Sequence, residues 1–76
     1  MQPVYVKWHD AVSTDDWKDE DDPVEDLHVI HTLGFLVKED KKKIVVAMQI
    51  DPERGGRSME MTIPKAWILK RKKLKI

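Results

Sequence analysis

Apolar and polar residues alternate along this chain in short stretches separated by charged or turn-forming segments. Val4, Val6 and Trp8 alternate with Tyr5, Lys7 and His9, which predicts a first strand over about residues 3–9. A second strand is expected from His28 to about Lys38, with Val29, Leu33, Phe35 and Val37 on one side of it. Gly34 falls inside that strand, where a glycine marks a bulge or a sharp bend. The third strand has the cleanest period: Ile44, Val46, Met48 and Ile50 form one face, and Val45, Ala47 and Gln49 the other. In a fourth, Met59, Met61 and Ile63 alternate with Glu60 and Thr62. Pro64 removes a backbone donor and fixes φ, so regular pairing stops there and Lys65-Ala66-Trp67 reads as one 3₁₀ turn. A final strand follows from Ile68, and its alternation predicts Lys72, Leu74 and Ile76 inward or along the edge, with Arg71, Lys73 and Lys75 outward. Glu39-Asp40-Lys41-Lys42 forms a polar hairpin tip, and Asp51-Pro52-Glu53-Arg54-Gly55-Gly56 a wider turn.

These elements predict an all-β fold. It is a single five-stranded antiparallel barrel with a long acidic loop over residues 10–27 after strand 1 and a 3₁₀ turn before the last strand. Seventy-six residues are enough for one core, so residues 1–76 are expected to be one domain. The expected core is Trp8, Val29, Leu33, Phe35, Ile44, Val46, Met48, Met61, Ile63 and Ile68.

Val4-Tyr5-Val6-Lys7-Trp8-His9-Asp10, the acidic stretch after it, and Ile63-Pro64-Lys65-Ala66-Trp67-Ile68 resemble the first strand, long first loop and final turn of the SH3-like small β-barrel family. Gly34-Phe35-Leu36-Val37-Lys38-Glu39-Asp40 and Ile63-Pro64-Lys65 are also similar to stretches of short tailed-bacteriophage proteins. The SH3 resemblance implies a groove of aromatics beside an acidic loop, receiving a proline-rich segment with a basic flank. Pro64 and Trp67 match the groove's proline and the aromatic of its turn, while Asp15, Asp16, Asp19 and Glu20 match the specificity loop by location. The groove tryptophan that the family carries near the start of its third strand has no counterpart, because Lys41-Lys42-Lys43-Ile44 stands there.

Charge changes the picture more than composition does. Net charge is zero, from 14 Lys and Arg against 14 Asp and Glu. Residues 1–40 hold 11 acids and 3 lysines, a balance of −8, and residues 41–76 hold 11 bases and 3 acids, a balance of +8. An acidic loop and a basic last strand on one chain are complementary between copies, so a homo-oligomer is expected. Cysteine is absent, which excludes disulfides and thiolate metal sites. Neither a secretory leader nor a membrane-length apolar run is visible, so the expected location is cytoplasmic, in the host cytoplasm if a phage encodes the chain.

The candidate sites follow from these features. Trp17, within the acidic run, either folds the loop back onto the barrel or anchors a partner. Together with Asp15, Asp16, Asp19, Glu20, Pro64 and Trp67 it forms the expected partner-binding surface of a non-enzymatic protein-binding module, one that engages or inhibits a host protein. The alternative is nucleic-acid or nucleotide binding through Lys41, Lys42, Lys43, Lys70, Arg71, Lys72 and Lys73, which would be steeply salt-dependent. The bland readings are a solvated acidic loop and lysines that keep an edge strand from pairing. No cofactor or metal is expected. The acidic run lacks the glycine of a calcium loop, and His28 and His31, three apart in a strand, point to opposite sides. Catalysis is not expected either, since no nucleophile motif or phosphate-binding glycine loop is present.

Overall fold

The computed structural model describes residues 1–11, 17–23 and 26–75. Five strands are present: β1 (Gln2–Asp10), β2 (His28–Glu39), β3 (Lys43–Asp51), β4 (Gly56–Pro64) and β5 (Ile68–Lys73), with a 3₁₀ turn over Lys65–Trp67. They form one antiparallel sheet in the order β4-β3-β2-β1-β5. The five antiparallel strands and the turn before the last one are as the pattern predicts. The sheet does not close, however; β4 and β5 remain its edges. Among the described residues no helix is long and apolar enough to cross a membrane.

The long strand β2 bends the sheet. Its residues from His28 to Leu36 pair with β1, and those from Phe35 to Glu39 pair with β3. The hand-over at Phe35 and Leu36 brings the inner side of β1 against the inner side of β3 and β4. Val4, Val6 and Trp8 of β1 there form one buried cluster with Ile44 and Val46 of β3 and Ile63 of β4. Ile30, Leu36 and Ile68 pack against it from the sides. Trp8 brings a polar atom into this core, and its indole N–H donates to the Thr32 hydroxyl at 3.0 Å, so the buried pair is satisfied.

Gly34 explains why β2 turns the face it does. Val4 lies opposite Gly34, so residue 34 points inward. A Cβ there would stand 2.6 Å from Val46 Cγ1 and 2.7 Å from the Ala47 carbonyl oxygen. Only glycine fits. With Gly34 inward, Ile30, Thr32 and Leu36 also face the core, and Val29 and Leu33 face out, 44% and 61% exposed. The expected core places for Val29 and Leu33 are therefore corrected. Met61 is corrected as well: it is 37% exposed because edge strand β4 buries only Ile63. Phe35, Met48 and Ile68 are half-buried, and Val4, Val6 and Ala47 complete the buried set.

The last strand is likewise out of phase with its expectation. Lys7 pairs with Lys70 but Trp8 pairs with Ile68, so Leu69 is an extra residue in a bulge. The slip carries Arg71 opposite Val6 and Lys73 opposite Val4, on the inner side, and leaves Lys72 outside opposite Tyr5. Arg71 and Lys73 thus point inward and Lys72 outward, the reverse of the simple alternation.

The turns have local causes. Asp40 Oδ1 accepts the backbone N–H groups of Lys42 and Lys43 at 2.8 and 3.0 Å, closing the β2–β3 tip. Gly55 takes φ 72° in the β3–β4 turn, where an L side chain would be strained. Met59 has φ 55° within β4, the one non-glycine left-handed residue described, and its rung with Met48 is missing from a β3–β4 ladder whose register is the same on both sides.

Candidate functional site

The acidic loop leaves β1 at Asp10 and rejoins the sheet at His28. Asp15 and Asp16 lie outside the described residues. Trp17 is fully exposed, so the reading in which its ring folds back onto the barrel does not hold. Asp19 and Glu20 are exposed beyond it. A small turn orders this part of the loop: the Asp22 N–H donates to the Asp19 carbonyl at 3.1 Å, and Asp22 Oδ2 accepts the Asp19 N–H at 2.9 Å. Asp19 and Glu20 thus follow an open tryptophan closely in the chain, on a segment that the Asp19–Asp22 bonds brace.

The base of the loop meets the 3₁₀ turn. His9, Asp10 and Ala11 at the start, Leu27 at the end, and Ala66 and Trp67 of the turn line a cleft of about 260 Å³. Pro64, half-buried and extended at φ −62°, precedes the turn and sets its direction. Trp67 is 42% exposed and Leu27 56%, so the cleft offers apolar surface to an incoming chain. Trp67 thus lies where the loop begins and ends, while Pro64 does not line the cleft and pairs opposite Lys43.

The basic residues separate into three settings. Lys41, Lys42 and Lys43 are exposed in the β2–β3 tip, which the Lys65 N–H joins to the turn by donating to the Lys42 carbonyl at 2.7 Å. Lys43 also reaches Asp40 at 3.4 Å. Arg71 and Lys73 lie on the inner side of β5, whereas Lys70 and Lys72 lie on its outer side. The seven bases do not form one patch.

Arg71 is occupied. Its guanidinium donates to both carboxylate oxygens of Glu39, at 3.0 and 3.1 Å, and Lys65 Nζ lies 2.7 Å from the same group. Glu39 pairs opposite Ile44 at the end of β2, so this triad spans the mouth of the fold, from β2 to the edge strand that no backbone ladder joins to it. The Arg71 bonds first, and then the Lys65 contact, hold the Glu39 carboxyl down from 4.5 to about 2, against a smaller opposing effect of burial. A carboxyl depressed in the fold stabilises it fully above 4.5 and loses that contribution as pH falls toward about 2. The triad is a third exposed, so solvent screens it. The stability difference between the native chain and Glu39→Gln is expected to shrink as pH falls through that window, because protonated glutamate resembles glutamine. Urea midpoints at stepped pH check this; a difference that stays constant to the acid end would remove the triad from the account.

Two surfaces escaped the sequence reading. One is a wide, shallow groove of about 750 Å³ along the β3–β4 ribbon, floored by Phe35, Met48 and Ile50. The other is the outward side of β5, β1 and β2, with Tyr5, Lys7, His31, Lys70 and Lys72. Tyr5 and Lys7 were visible as outward positions, but Phe35 and Met48 were expected in the core and Lys72 inward, and the grouping depends on register, which alternation within one strand does not contain.

No protein-family model matches the chain, and no curated protein or solved structure matches it.

Proposed function

We propose that this chain is a non-enzymatic binding domain that engages a basic protein segment through its acidic loop. Trp17 is the anchor, Asp15, Asp16, Asp19 and Glu20 supply the attraction, and the cleft at Trp67 takes a neighbouring apolar residue. The observation that carries this reading is the complete exposure of Trp17 among carboxylates. An indole left open to water has a large apolar area to bury on contact, and tryptophan is enriched among the residues that dominate interfaces.

The order of strand, long loop, two hairpins and 3₁₀ turn supports an SH3-like arrangement, and on this reading the cleft at the base of the loop serves as the peptide groove. With lysines in place of the groove's tryptophan at residues 41–43, the partner is selected by charge more than by proline stacking. The similarity to short phage proteins extends the proposal to a host component that the chain engages or inhibits.

Tagged wild-type chain should capture its partner from host lysate. Trp17→Ala should weaken the purified pair about 30-fold, the effect of losing a hot-spot contact of about 2 kcal/mol. Neutralising the four carboxylates should slow association and remove its salt dependence. Recovery of the same partners at equal yield by all three proteins would overturn the proposal.

A further inference from the structure

The outward side of β5, β1 and β2 carries a group of side chains that neither the loop nor the cleft uses. Strand register sets Lys70, Lys7 and His31 in one row across the three strands, and Lys72, Tyr5 and Leu33 in the next. Alternation turns all six away from the buried Val4 and Val6. Tyr5 and His31 are diagonal neighbours in this grid, within reach of each other across the strands. The Tyr5 hydroxyl lies 2.8 Å from His31 Nδ1, the ring centroids are 5.9 Å apart and the planes differ by 17°. The hydrogen bond ties the rims of two nearly parallel rings. They make one aromatic tile on the sheet, with Leu33 exposed beside it.

The charge on this face has one sign. Lys7 stands directly opposite Lys70, a like-charge pair that is unfavourable unless something neutralises it. Lys43, Lys65 and Arg71 each have a carboxylate within ion-pair distance, but no described carboxylate pairs with Lys7, Lys70 or Lys72. None of the outward positions on the paired lengths of these three strands is Asp or Glu.

We propose that this face binds single-stranded nucleic acid, with a base lying on the Tyr5–His31 tile and phosphates held by Lys7, Lys70 and Lys72. A flat aromatic surface beside aligned cations is the combination that single strands use, since every base has a face to stack and every linkage has a charge to neutralise. A duplex keeps its bases stacked on each other and cannot use the tile. A protein partner is less well matched, because the centre of a protein interface is depleted of lysine. A symmetric second copy would bring the same lysines together.

Fluorescence anisotropy with a labelled oligodeoxythymidine and its oligouridine counterpart tests this, the two arms separating DNA from RNA. Binding is expected at low salt. Log affinity against log salt should have a slope of about −2, from about −0.7 for each of three neutralised phosphates. Tyr5→Leu should weaken binding about ten-fold or more, and Tyr5→Phe, which keeps the ring, much less. Lys70→Glu with Lys72→Glu should abolish it. Both lie on an exposed edge strand, so this variant keeps the test decisive if Tyr5→Leu does not fold. Trp17→Ala should leave it unchanged, which keeps the outcome separate from that of the protein-binding reading. Three results would overturn the proposal. One is no binding of either strand at low salt; another is binding that ignores Tyr5 and Lys72 but fails on replacing Lys41, Lys42 and Lys43. The third is a dimer that Leu33→Ser dissolves, with no oligonucleotide bound, which would give the face to a second copy.

Discussion

Replacing Gly34 with alanine is expected to lower the thermal midpoint by about 5–20 °C, the equivalent of roughly 1–3 kcal/mol in a domain of this size. The reason is space, since a methyl group at this position meets Val46 and the Ala47 carbonyl at distances that real Cβ contacts do not reach. Val46 can rotate its side chain, but the Ala47 oxygen belongs to β3 and moves only with the strand. The damage therefore extends to the β2–β3 pairing on which the fold-over depends. Gly34→Val should be worse than Gly34→Ala, and both should broaden or abolish cooperative unfolding followed by circular dichroism. An alanine variant with an unchanged midpoint would mean that β2 and β3 are not so closely apposed.

Ile63→Ala is expected to destabilise the chain by about 2–5 kcal/mol. Set against a total stability of about 4–11 kcal/mol for 76 residues, that is a large share. Ile63 is fully buried, and it is the one buried side chain of β4. It also holds the strand in place immediately before Pro64 and the 3₁₀ turn, so its loss should loosen the turn and the Trp67 cleft together. Urea denaturation would give the energy. Faster hydrogen exchange at Lys65, whose N–H bonds to Lys42, would report the loosened turn. Met61→Ala, two residues away on the same strand and exposed, should have a much smaller effect.

Strand existence was readable because each strand alternates; strand orientation was readable only where one phase was clearly more apolar. In β1 and β3 the choice is unambiguous, and Val4, Val6, Trp8, Ile44 and Val46 are buried. In β2 both phases are apolar, with Val29, Leu33, Phe35 and Val37 on one and Ile30 and Leu36 on the other. The decision rests on a contact between Gly34 and a strand more than ten residues away, which no local pattern records. β5 was misphased for a related reason: the bulge at Leu69 shifts the strand by one residue, and a lysine-rich sequence shows no hydrophobic trace of the shift. Of the proposed binding surface, Pro64, Trp67 and the acidic run could be recognised as positions in a resemblance. That the loop's two ends and the turn enclose a cleft could not. The ion triad at Glu39 was hidden too, since its members are far apart along the chain.

An antiparallel sheet that stays open has two outer strands, each with a row of backbone groups facing no partner. Such rows invite strands from other molecules, and unchecked they let a sheet extend from copy to copy without limit. Here the two borders are spoiled by different means. Along β4 the left-handed turn of the backbone at Met59 breaks the straight run that an incoming strand would have to match. Along β5 the consecutive bases Lys70 to Lys73 repel any copy that approaches with its own last strand. The geometry that leaves the molecule unclosed is thus kept from becoming a template for fibres, and association between copies has to use other surfaces.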